Sequence, residues 1–113
     1  MNDAYTALLA AVLRAPDPVA ALEAAAARPE VPEALRDVLA GLDRDGVRMS
    51  ALLVAQLRFN RLLNGSGQAA ADFDADPAGF TAQFRQYHQE VAPSADSPVQ
   101  EARLFAAWWA GVE

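Results

Sequence analysis

Apolar residues recur every three to four positions along most of this chain, and alternation at period two is nowhere sustained. The pattern predicts helices and no confident strand. Seven segments emerge, at about residues 3–14, 18–27, 32–42, 47–63, 67–73, 77–91 and 98–111. The first puts Tyr5, Leu8, Leu9 and Val12 on one face. The longest carries Leu52, Leu53, Leu57, Phe59, Leu62 and Leu63. Those six cover a wide arc at helical spacing, which suits a central helix packed on more than one side. Gln56 and Asn60 lie within or beside that arc and need hydrogen-bond partners if buried. The expected fold is therefore all-α: a compact bundle of about six to seven helices around the longest one, as a single domain over residues 1–113.

Local chemistry sharpens the helix ends. Asp17-Pro18, Asp76-Pro77 and Ser97-Pro98 each join a capping side chain to proline at the first helical position. Ser97 and Gln100 have capping-box spacing. Val31-Pro32 starts a helix without a capping side chain. Asp43-Arg44-Asp45-Gly46 reads as a linker into the long helix, and Asn64-Gly65 as its stop. Residues 92–97 are the one flexible candidate.

Composition narrows the classes. Of 113 residues, 27 are alanine, so the 53% hydrophobic fraction overstates the supply of large apolar side chains. All nine basic residues are arginine. The net charge of −6 opposes a general nucleic-acid binder, which needs a cationic face for counterion release. It also opposes attachment to an anionic membrane surface. With no cysteine, disulfides, thiol nucleophiles and zinc–thiolate sites are excluded. No apolar run approaches the roughly 20 residues of a spanning helix, and the first residues lack the basic start of a secretory signal. A cytoplasmic protein is expected.

Candidate chemistry is sparse. His88 is the only histidine and accompanies no recognisable nucleophile motif, so catalysis and metal ligation are not expected of it. Asp72, Asp74 and Asp76 mimic the opening of a calcium loop. The positions that need glycine and glutamate hold Pro77 and Gln83 instead, which leaves Asp76 as a helix cap. Phe80, Phe84, Tyr87 and Val91 form one helical stripe, read first as core, with Tyr87 and His88 at its edge. Arg58 and Arg61 read either as a solvated face or as an anchor for acidic groups, since a guanidinium clamps carboxylates bidentately. Trp108 and Trp109 point about 100° apart, so one is expected to be half exposed and available to a partner.

Three runs carry a resemblance. They are Leu57, Arg58, Phe59, Arg61, Leu62 and Leu63; then Asp76, Pro77, Ala78, Phe80, Thr81, Phe84, Arg85, Tyr87 and His88; then Glu101, Ala102, Arg103, Leu104, Phe105 and Trp108. Together they resemble a family of small proteins that accompany multinuclear non-heme iron oxidative enzymes, including that of 3-thiaglutamate biosynthesis. These enzymes modify ribosomally made peptides, typically at cysteine. The resemblance spans nearly half the chain. The family usually has an apolar Pro-Pro-x-x-x-x-Pro linker, and here residues 92–98 are more polar.

The resemblance implies a non-catalytic partner protein, without a cofactor of its own, that binds a precursor peptide and/or its iron enzyme and presents the peptide for modification. Because no strand is expected, a helix or extended leader in a helical groove fits better than strand addition. The contact residues this reading selects are Arg58, Arg61, Tyr87, His88 and Trp108. The alternative is a self-associating helical scaffold or regulatory protein without a peptide substrate, its tryptophans burying a homodimer face. A small DNA-binding regulator would have to use Arg58 and Arg61 against the net charge.

Overall fold

The computed structural model describes residues 2–112. Among the described residues there are seven helices and no strand. They are α1 (Asn2–Arg14), α2 (Pro18–Ala26), α3 (Glu33–Ala40), α4 (Arg44–Gly65), α5 (Gly67–Ala75), α6 (Pro77–Glu90) and α7 (Pro98–Val112). The all-α expectation holds. Contacts gather in two compact units, 1–54 and 55–113, and the division falls inside α4. Among the described residues, no helix is long and apolar enough to cross a membrane.

The caps behave as their chemistry requires. Asp17 accepts from the Ala20 amide at 3.1 Å, and Asp76 from the Gly79 amide at 3.1 Å, each ahead of a proline that has no amide to satisfy. Pro32 starts α3 with no side-chain cap, as expected. Before α7, Ser97 accepts from Gln100 N at 3.3 Å. The Gln100 side chain reaches back to the Asp96 amide at 2.7 Å, one residue earlier than a standard capping box.

Several boundaries shift by two or three residues, α3 ending at Ala40 rather than near 42, and two of the shifts have local reasons. The stretch read as a linker before α4 is its first turn. Asp43 accepts from the Gly46 amide at 2.8 Å, which caps the helix and keeps the glycine inside it. α5, expected to end near residue 73, runs to Ala75 because Ser66 caps its start at 3.0 Å and Asp76 N closes its end on Asp72 O at 3.0 Å. The stop at Gly65 holds, but not through a left-handed backbone, since no glycine has positive φ. A Cβ at Gly65 would lie 1.9 Å from the Pro98 carbonyl oxygen, so a close approach of α7 demands glycine there.

The first unit packs Val12, Leu22, Ala25, Val31, Leu35, Leu39 and Val47 into an aliphatic core, with Tyr5, Leu8 and Leu42 half-buried against it. The second packs Leu62, Ala69, Phe80, Phe84, Tyr87 and Phe105, with Phe59, Phe73 and Trp108 at its margin. Phe59 meets Phe73 at 5.3 Å and Phe84 at 5.0 Å edge-on, the arrangement favoured by ring quadrupoles.

The wide apolar arc of α4 is only partly enclosed. Leu62 is buried, and Phe59 and Leu63 are half-buried. Leu52, Leu53 and Leu57 are each more than half exposed, and Met49 joins them. The buried face of α4 is instead Val47, Ala51, Arg58 and Leu62. Gln56 and Asn60, on the exposed side, bond each other at 3.0 Å.

Candidate functional site

The second unit contains a charge network inside its core. Arg58 comes from the buried face of α4, one turn before Leu62. Glu101 comes from the first turn of α7, one turn before Phe105 and two before Trp108. Both ions are enclosed, at 2% and 1% exposure. Arg58 Nε donates to Glu101 Oε2 at 3.0 Å. The Tyr87 hydroxyl donates to the same oxygen. The guanidinium carbon lies 4.3 Å from the centre of the Tyr87 ring, a cation–π contact.

The rest of the guanidinium serves the end of α6. Nη1 donates to Val91 O at 2.5 Å and Nη2 to Ala92 O at 3.5 Å. Carbonyls at a helix C-terminus lack intrahelical donors and carry the negative end of the dipole, so a cation is well placed there. One arginine thus ties α4, α6, α7 and the start of the segment expected to be flexible. Nη1 also faces His88 Nδ1 at 3.3 Å. The imidazole stacks on Phe84, with centroids 5.8 Å apart and planes within 9°.

Burial is the main reason the Tyr87 phenol titrates well above its ordinary range. The hydrogen bond to Glu101 pushes the same way, and the Arg58 charge pulls against it. The phenol stays protonated and serves as a donor. The cluster therefore satisfies charge internally and leaves no accessible base or nucleophile within it.

These positions correct the accessible edge expected of Arg58, Tyr87 and His88: all three are buried. They do come together, as neighbours in one network. Trp108 is half-buried, 5.5 Å from the Tyr87 ring, and donates to Glu90 Oε1 at 3.1 Å. Arg61 is half-buried on α4. Trp109 is the more exposed tryptophan, at 37%. Sequence reasoning missed Glu101 as a partner of Arg58. The signal was present: each is an ion in phase with large apolar residues on its own helix, and their signs are opposite.

An accessible feature of the same unit is a cleft of about 520 Å³ walled by α5, α6 and α7. Its floor and sides are apolar, formed by Ala69, Phe80, Ala102, Phe105, Ala106 and Trp109. Its rim is polar, with Gln68, Asp72, Asp76 and Gln83. Phe105 joins cleft and network, because its ring also lies 5.0 Å from Tyr87. Among the described residues, no three acidic or histidine side chains gather in a way that would hold a metal ion.

The chain matches no known family model, no curated protein and no solved structure.

Proposed function

We propose that this chain is a non-catalytic, cytoplasmic partner protein. It binds a ribosomally made precursor peptide, its multinuclear non-heme iron oxidative enzyme, or both, and presents the peptide for modification at cysteine. The motif run from Leu57 to Trp108 carries the reading. Arg58, Tyr87, Glu101 and Phe105, all members of that run, interlock in one unit. This accounts for their spacing by a shared structural task rather than a reaction. The same unit offers a preformed cleft to a flexible chain, and preorganisation lowers the entropic cost of holding it.

The test starts from the genes on either side of this one, where an iron enzyme and a short precursor peptide are expected, and measures binding to their products by co-purification and calorimetry. Binding to at least one is expected, and binding to neither overturns the reading. A second reading, a self-associating helical scaffold or regulator, is favoured by the exposed Met49, Leu52, Leu53 and Leu57 on α4. An apolar stripe of this kind commonly marks an interaction surface. Sedimentation separates the two: a tight dimer lost on Leu53→Ser favours the second reading.

A further inference from the structure

Resting on the peptide-binding reading above, we propose that the cleft of the second unit is the peptide's seat. It selects a segment in which an aromatic or large aliphatic side chain is flanked by arginine or lysine. The cleft is of ordinary size for holding a small ligand, enough for one or two side chains rather than a whole helix. Its floor at Phe80 and Phe105 and its wall at Trp109 offer an apolar seat. The charged residues that line it are Asp72 and Asp76, and no arginine does.

Both carboxylates have bonding capacity left. Asp72 Oδ1 takes the Gln68 amide group at 2.9 Å, and Asp76 Oδ1 takes the Gly79 amide at 3.1 Å. A carboxylate has about four acceptor positions, so each retains sites for a guanidinium or ammonium. Trp109 lines the same cleft, and an aromatic ring favours positive charge over its face. An acidic segment meets like charge at the same rim and is rejected. Of the buried network, none of Arg58, Tyr87 and Glu101 lines the cleft; Phe105, packed on Tyr87, is where the two adjoin.

The experiment uses the full chain and two short synthetic peptides. One places phenylalanine between arginines, and its twin carries glutamate in place of arginine. Calorimetry is expected to show binding of the arginine peptide, weakening with salt, and none of the glutamate twin. Asp72→Asn with Asp76→Asn removes both charges while asparagine still caps α6. This pair is expected to weaken binding about tenfold. Trp109→Ser, at an exposed position, is expected to weaken it as well, with circular dichroism confirming the fold of each variant.

Equal binding of the twins, unchanged affinity in both variants, or no binding of the arginine peptide overturns the proposal. Co-purification with the iron enzyme and precursor reports separately. If the precursor by itself binds both variants with unchanged affinity, the partner reading survives and the seat is wrong. If co-purification fails while the arginine peptide still binds, the seat stands and the partner reading falls.

Discussion

In the first unit the largest buried core side chains are the leucines Leu22, Leu35 and Leu39, with valines and an alanine between them. In the second, Phe80, Phe84, Tyr87 and Phe105 form an aromatic core in the same unit as a buried arginine and glutamate, which Tyr87 touches. An aliphatic core needs volume and pattern, and many sequences supply both. A buried ion pair is costly unless each remaining donor and acceptor finds a partner, so it tolerates few alternatives. The first unit is accordingly generic in sequence and the second is not. The three runs on which the resemblance rests all lie in the second unit.

Substitutions at five positions break or sharpen that contrast. The largest effect is expected for Arg58→Met, which strands Glu101 in the core and costs about 3–5 kcal/mol in urea unfolding. If this variant loses less than a surface arginine substitution, the network has no structural weight. Leu39→Ala in the first unit is expected to cost about 2–5 kcal/mol through its cavity, whereas Leu39→Met costs under about 1.5 kcal/mol. No such leniency is expected at Arg58. Arg58→Lys keeps the charge but cannot reach Glu101, Val91 and Ala92 together, and is expected to lose about 2 kcal/mol or more.

Tyr87→Phe is expected to cost about 1–2 kcal/mol at neutral pH by removing a donor from Glu101. It also changes the alkaline limb. The folded phenol titrates above its unfolded value of about 10, so its contribution is complete below that pH and is lost as pH rises beyond it. The parent chain should therefore lose stability at alkaline pH more steeply than Tyr87→Phe, which unfolding curves across that range would show. The smallest effects are the caps. Asp17→Ala in the first unit and Ser66→Ala in the second are each expected to cost about 1 kcal/mol by thermal melts, since capping is indifferent to core type.

Helix number and most boundaries were legible because proline, aspartate and serine mark helix starts through their own local bonding. Asp17, Asp76 and Ser97 needed no tertiary information. The start of α4 was misread because Gly46 looks like a breaker until the Asp43 carboxylate is seen to hold its amide. The buried network was legible only in part, and its placement was not. Arg58, Tyr87 and His88 were selected from the sequence, but an arginine on a helix reads as solvated unless its long-range partner is known. That partner, Glu101, lies 43 residues away. Conversely, Leu52, Leu53 and Leu57 read as core by type, and only tertiary packing decides which part of so wide an apolar arc is covered.

The central claim is that Arg58 and Glu101 act as one enclosed structural unit behind the cleft rather than as separate contact points. A double-mutant cycle tests it most directly, using Arg58→Met, Glu101→Leu and the two together, read by urea unfolding. The pair is expected to cost far less than the sum of the singles, with a coupling of about 2–3 kcal/mol. Additive losses, with coupling near zero, would contradict it.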